Sequence, residues 1–396
     1  MRFTPYPLER KRCKLTLAPT PECASFKLLC AQVAESPPRH LTSSKPVWIF
    51  GAGSFGRDVC LVLSAQGFDV RGFIETTPRK NEVLGRPVLS WSDTRQDHRA
   101  AQLVIGIFNR GMPLDELEGL ANTAGFADLF MPWDIYGQIG AHLGWRFWLS
   151  APNVILDNLP AIERAYLQLS DETSRQCLLD ICAFRLGQRR SYASFRHAEP
   201  QYFNDLTLGP LAGAKVCFVD GGAYNGDTFL ELTNNADVAA AYLFEPDIAN
   251  FNALANAVKS SGCSAVCLPL ALSNKHCVLS FNAGNGESGA VSDQGNTHVT
   301  GVALDELLPN QQVDFFKLDV EGGEFAALQG ARRTLVKTRP VLAISLYHRP
   351  HDLWELTELL SNLCQNYSFH IRQHYFNSFE SVLYAIPNER VKLANA

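Results

Sequence analysis

The residues whose types and spacing could do chemistry concentrate in the carboxyl-terminal half. Val216 to Phe229 reads VCFVDGGAYNGDTF, an apolar run that delivers Asp220 at its end, followed by Gly221, Gly222 and Gly226 and then a helix-forming stretch. Glycines let a ligand approach the backbone closely, and the helix start beyond them offers unpaired N–H groups to a carboxylate or other anion. The same pattern also serves a sharp turn with no ligand. About 20 residues further on, as a ribose-binding acid requires, Leu243-Phe244-Glu245-Pro246-Asp247 ends a second apolar run. Glu245 there can accept hydrogen bonds from both ribose hydroxyls or stand as a solvated strand-end acid, while Asp247 suits the cap of the next helix. A third run, VDFFKLD, ends at Asp319 and continues Val320-Glu321-Gly322-Gly323-Glu324. Asp319 and Glu321 could orient a polar group, bind a divalent cation or take a proton. Glu321 and Glu324 equally suit the first turn of a helix, where they complement its dipole.

These groups need a scaffold that brings strand ends together. From Ala214 the chain alternates VCFVD, a helix, AYLFE, a helix opening at Asp247, SAVCLPLAL, a hairpin-like stretch around 276–284, VDFFKLD, a helix and VLAISLYH. A last helix at 351–363 precedes SFHIRQHY and SVLYAIP, two strands joined too closely for a crossover helix and therefore antiparallel. The pattern predicts an α/β fold with a seven-stranded, mostly parallel sheet and an antiparallel terminal hairpin. In open sheets of this kind ligands bind at the carboxyl edge, where the strand order reverses.

FVDGGAYNGDTF, YLFEPD, FFKLDVEGGEFAALQGA and VLAISLYHRP, in that order, resemble the FkbM family of S-adenosylmethionine-dependent methyltransferases over roughly residues 201–386. The run Lys317 to Gly322, with a glycine-terminated helix at Gly330, is the more specific part. The resemblance implies a Rossmann-like class I fold, S-adenosylmethionine as cofactor, and O-methylation of a hydroxyl on a sugar, polysaccharide or other small natural product. It places the methionine end of the cofactor on Asp220, Gly221, Gly222 and Gly226, with Ala223, Tyr224 and Asp227 as further pocket residues. The ribose falls to Glu245 and the adenine to the strand end at Ala271 and Leu272. Methyl transfer requires nucleophile, methyl and sulfur in line, and an alcohol needs a base within reach; Asp319, Glu321 and His348, which follows the strand in SLYHRP, are the candidates. The sequence presents no dense ligand cluster, so no metal is expected.

A second glycine loop lies near the start. Gly51-Ala52-Gly53-Ser54-Phe55-Gly56 follows the apolar VWIF and opens a helix, and Glu75 ends the next strand, which fits the dinucleotide fingerprint. Gly51, Gly53, Gly56 and Glu75 thus form a second candidate site, for a nucleotide or nucleotide-sugar. No Tyr-x-x-x-Lys pair or comparable hydride-transfer machinery accompanies it. Two alternatives to a methyltransferase follow from this loop: an NAD(P)-dependent oxidoreductase or sugar epimerase, and a non-catalytic nucleotide-binding protein. The chain divides into an amino-terminal arm with a helix (1–45), a Rossmann-like nucleotide-binding-type domain (46–140), a helical connector (141–212) and the methyltransferase-like domain (213–396).

Composition sets the outer bounds. The chain has 396 residues, 46% hydrophobic and 19% charged, with a formal net charge of −5; that length suits two or three domains. A negative chain gives no general attraction for phosphate backbones, and the short runs Arg10-Lys11-Arg12 and Arg189-Arg190 read as solvated faces, so no nucleic-acid partner is expected. No apolar run approaches the roughly 20 residues that a spanning helix needs, so no membrane partner is expected. The 11 cysteines include no CxxC pair, which argues against a zinc ribbon or disulfide framework. With no secretory signal at the start, the expected compartment is a reducing cytoplasm, and the expected partner is a small-molecule or glycan acceptor.

Overall fold

The computed structural model describes residue 31 and residues 39–394, except 190, 192, 284–288 and 292–294. The helix expected from Thr20 and most of the 1–45 arm lie outside these residues.

The first sheet contains β1 (Val47–Phe50), β2 (Val70–Ile74), β3 (Glu82–Val83), β4 (Arg86–Leu89), β5 (Gln102–Ile105) and β6 (Asp128–Phe130), in the order β3-β4-β2-β1-β5-β6. All pairs except β3 with β4 are parallel. The apolar runs give β1, β2, β5 and β6 their sequence signal; β3 and β4 are short and interrupted by Pro87, so that stretch reads as loop.

The second sheet contains β7 (Lys215–Gly221), β8 (Asp237–Phe244), β9 (Val266–Leu268), β14 (Phe315–Leu318), β15 (Val341–Ser345), β16 (Tyr367–Gln373) and β17 (Ser381–Pro387). A small third sheet lies between β9 and β14 in the chain: β10 (Ala271–Leu272), β11 (Cys277–Asn282), β12 (Ala290–Val291) and β13 (Thr297–Val302). The second sheet is seven-stranded in the order β16-β17-β15-β14-β7-β8-β9, and the third runs β10-β13-β11-β12. Only β17 pairs antiparallel, with β15 on one side and β16 on the other, as the short terminal connection requires. SAVCLPLAL is not one strand: Pro269 divides it into β9 and β10, which belong to different sheets. The hairpin expected around 276–284 is also redrawn, because 277–282 is a single strand whose long antiparallel partner is β13.

Strands buried on both faces read as continuous apolar runs, and helices cover both faces of the second sheet. On one face Phe229, Leu232, Leu254 and Val258, from the helices Asp227–Asn235 and Ile248–Ser261, pack with Val216, Phe218 and Phe315. On the other, Ile162, Tyr166, Leu178 and Ile181 pack with Phe316, Leu318 and Ile344. Each such fully buried side chain contributes about 1.5–3 kcal/mol. The helices Leu159–Gln168 and Glu172–Arg185 of the expected connector therefore share the core of the second sheet. Asp171 starts the latter helix by accepting from Ser174 N at 2.6 Å. Among the described residues no helix is long and apolar enough to cross a membrane.

The two large sheets dock through the turn between β16 and β17. Asn377 accepts from Leu114 N at 2.9 Å and donates to Asn109 O at 2.9 Å and Met112 O at 2.6 Å. Trp148 Nε1 donates to Asn377 O at 2.7 Å, and Trp145 Nε1 to His348 O at 2.8 Å.

Candidate functional site

A cleft with about 1020 Å³ of empty space, its open mouth included, crosses the carboxyl ends of β14, β7 and β8. Its walls differ in character. Phe244, Pro246, Leu270, Leu272, Phe281 and Val291 make an apolar part, with the small third sheet supplying the last three; Tyr202, Lys317, Asp319, Glu321 and Glu380 make a polar part.

Glu245 serves the apolar part. Its carboxylate accepts from Tyr224 N at 3.0 Å and from Asp247 N at 2.8 Å. Burial pushes its carboxyl up to about 7, against the lowering effect of those two amides. Asp247 caps the following helix, accepting from Ala249 N at 2.8 Å and Asn250 N at 3.2 Å, as expected of an acid at that position.

The glycine loop turns sharply beneath the cleft. Gly222 has φ +80°, and a Cβ there would lie 1.8 Å from Asp319 O, so only glycine fits. Tyr224 (φ 48°) and Glu321 (φ 52°), both on the cleft wall, hold left-handed backbones without being glycine. Such conformations cost of order 1–3 kcal/mol each and collect at functional sites.

Of the expected cofactor residues, Gly222, Tyr224, Asp227, Glu245, Ala271 and Leu272 line the cleft. Asp220, Gly221, Ala223 and Gly226 are not on its wall. Asp220 is wholly buried and ion-paired with Lys317 at 2.9 Å, which fixes the lysine. Lys317 Nζ also donates to Gly222 O at 2.7 Å and lies 5.4 Å from the Tyr202 ring centroid. Gly221 packs against Leu318 and Leu272, Ala223 lies in the apolar core, and Gly226 is the left-handed cap of the helix Asp227–Asn235.

The polar part centres on Asp319. Its Oδ2 accepts from Tyr202 OH at 2.9 Å and its Oδ1 from Tyr347 OH at 3.3 Å. Burial works to raise its carboxyl, but His348, Lys317 and Arg110 outweigh burial and hold it below its ordinary value. Burial pushes Glu321 up to about 8, despite the nearby His348. The structure brings all three expected catalytic residues together: His348 Nε2 lies 3.2 Å from Asp319 Oδ1 and 3.5 Å from Glu321 Oε2, while Nδ1 is 2.7 Å from Glu324 Oε1. Burial acts against the charge of His348, but Glu324, Glu321 and Asp319 prevail and raise it to about 10, which favours the protonated ring over the free base.

Several wall residues went unnoticed in the sequence. Lys317 carried a signal, since a cation inside an apolar strand must find a carboxylate. Tyr202, Gln201 and Glu380 carried none. Arg110 comes from the loop after β5 of the first sheet, yet it lines this cleft and pairs with Glu380 at 2.9 Å.

At the first sheet, two of the three glycines of the second candidate site answer to packing. A Cβ on Gly56 would lie 2.0 Å from Gly51 O, and one on Gly51 (φ +104°) 2.4 Å from Ile107. Glu75 Oε1 accepts from Ala52 N at 3.2 Å, tying the strand end to the loop. Gly53 has open space around the place of a Cβ.

Residues 220–375 match the family described as the methyltransferase FkbM domain. Among solved structures, methyltransferase FkbM from Methylobacillus flagellatus KT superposes with a TM-score of 0.69 at 18% identity, over 92% of this chain and 99% of that one. Precorrin-6y C5,15-methyltransferase from Geobacter metallireducens GS-15 aligns over 49% of this chain and 93% of that one, at 12% identity and a TM-score of 0.29, too slight a likeness to bear on the fold. No curated protein matches the chain. Most of the cleft wall thus comes from the stretch that matches the methyltransferase FkbM domain, residues 220–375, on a fold similar along most of the chain to that of an FkbM methyltransferase structure.

Proposed function

We propose that the cleft binds S-adenosylmethionine and that the chain transfers the cofactor's methyl group to a hydroxyl of a small-molecule or glycan acceptor. The observation that carries this reading is Glu245, a buried carboxylate on the cleft wall at the end of β8. A ribose diol calls for paired acceptor oxygens, which Glu245 supplies, and an adenine calls for flat apolar walls, which Phe244, Leu270, Leu272 and Phe281 supply. The donor set therefore fits this cofactor. Bound there, S-adenosylmethionine would supply an electrophilic methyl carbon.

The chain's own residues then have two tasks. The first is to hold an acceptor hydroxyl in line with that carbon, since positioning alone is worth about 7–11 kcal/mol in favourable cases. Tyr202 and Tyr347 fix the carboxylate of Asp319 from two sides, and Asp319 in turn accepts the hydroxyl hydrogen. The second is to take the proton. Asp319, ionised at neutral pH, receives it at a carboxylate oxygen as the new oxygen–carbon bond forms. Arg110, Gln201 and Glu380 wall the same end and suit an acceptor rich in hydroxyls, as a sugar is.

Calorimetry with S-adenosylmethionine tests the cofactor, and labelled methyl transfer to a panel of glycans and polyols tests the acceptor. Glu245→Ala should weaken cofactor binding by about 10- to 100-fold, the worth of hydrogen bonds to a charged group. Asp319→Asn should abolish transfer and leave cofactor binding within a few-fold. Unchanged affinity in Glu245→Ala would defeat this reading.

A further inference from the structure

We propose that Asp319, Glu321 and His348 form a site for one divalent transition-metal ion beside the cleft, with Glu324 holding the imidazole in its coordinating orientation. His348 is wholly enclosed, and its Nδ1 is fixed 2.7 Å from Glu324 Oε1. That oxygen is held in turn by Val320 N at 2.9 Å. A histidine anchored through one ring nitrogen by a carboxylate presents the other as a ligand, the usual support of a metal-bound imidazole.

The presented atom is Nε2, whose proton a bound cation would displace. It faces Asp319 Oδ1 at 3.2 Å and Glu321 Oε2 at 3.5 Å. Yet neither His348 Nε2 nor Glu321 Oε2 makes a hydrogen bond, although both atoms are out of solvent. Donor atoms on one ion with bonds of about 2.1 Å stand roughly 3.0–3.4 Å apart, close to the separations here. The surroundings favour a cation, since Asp352 and Glu380 add two more buried carboxylates to Asp319, Glu321 and Glu324. Asp319 and Glu321 reach the cleft wall, which gives an ion its way in. One imidazole with carboxylates suits manganese, iron, cobalt or zinc better than calcium or magnesium.

The site itself does not depend on methyl transfer; only its use in activating an acceptor hydroxyl rests on the proposed function. The test strips the full chain with a chelator, then titrates Co²⁺ by visible absorption and Zn²⁺ by competition with a chromophoric chelator. We expect one Co²⁺ per chain with a visible ligand-field band. Glu321→Gln and His348→Ala should each weaken Zn²⁺ binding at least 100-fold, and Glu324→Gln by about 10- to 100-fold, as loss of a ligand's support does. His276→Ala, an exposed control, should change nothing. Absence of a stoichiometric ion at micromolar metal, or wild-type affinity in Glu321→Gln, overturns the proposal. If circular dichroism shows that His348→Ala does not fold, Glu321→Gln decides alone. S-adenosylmethionine binding to the same metal-free protein is scored separately, so either reading can fail without the other.

Discussion

Lys317 Nζ stands 2.9 Å from Asp220 Oδ1, with only 3% and 0% of the two side chains exposed. Burial raises the Asp220 carboxyl, which Lys317 opposes. The strength of the pair shows at the lysine: burial works against its charge, but Asp220 and Asp319 prevail and hold it above its ordinary 10.5. A lysine raised on folding stabilises fully below its ordinary value, and that contribution disappears only as the pH climbs past the folded value. Removing one member leaves a buried charge uncompensated, so Lys317→Met should cost about 3–5 kcal/mol. Urea unfolding at pH 7 measures this; a loss below about 1 kcal/mol would show the pair to be dispensable.

Glu245 should make cofactor binding sensitive to pH. Its carboxyl is pushed up to about 7 by burial, so the folded state binds a proton that the unfolded chain has released. The stability of the free protein therefore falls as the pH rises from the ordinary 4.5 toward 7. Ribose hydroxyls need the ionised form, so S-adenosylmethionine affinity should move the other way, dropping roughly tenfold between pH 8 and pH 6. Calorimetry across that range checks it, and Glu245→Gln should flatten the profile.

Gly222→Ala combines an unfavourable backbone with a collision. At φ +80° the added methyl would sit 1.8 Å from Asp319 O, and neither chain segment can retreat without moving the acid. We expect at least about 2 kcal/mol of destabilisation, read from the denaturation midpoint. Any folded variant should lose methyl transfer through displacement of Asp319.

Asn377→Ala should loosen the two large sheets from each other. Its side chain closes three hydrogen bonds to the loop and helix start at 109–114, and its loss strands Leu114 N, each unpaired buried group costing about 1–3 kcal/mol. Limited proteolysis should then cut within 105–115 faster than in the parent. Equal cutting rates would mean that the junction holds without Asn377.

The legible parts were those with a local signal. Apolar runs ending in acids marked β7, β8 and β14 and, with them, Glu245 and Asp319, because a strand end exposes its last residue to the sheet edge. Asp247 announced its helix by capping chemistry. Partners distant in sequence were not legible: nothing local announced that Lys317 stands 2.9 Å from Asp220, or that three carboxylates surround His348. β3 and β4 escaped notice because two short strands around a proline resemble a loop.

Arg110 belongs to the first sheet's half of the chain, while Glu245 belongs to the second. The cleft is therefore a joint holding: the second half furnishes Glu245, and the first lends a guanidinium at the end where Glu380 stands. Editing the loop after β5 would reshape that polar end and leave Glu245 untouched. Conversely, a stand-alone 213–396 fragment would keep Glu245 but forfeit Arg110, Gln201 and Tyr202 from the cleft and, with Ile162, Tyr166, Leu178 and Ile181, the cover of one face of the second sheet.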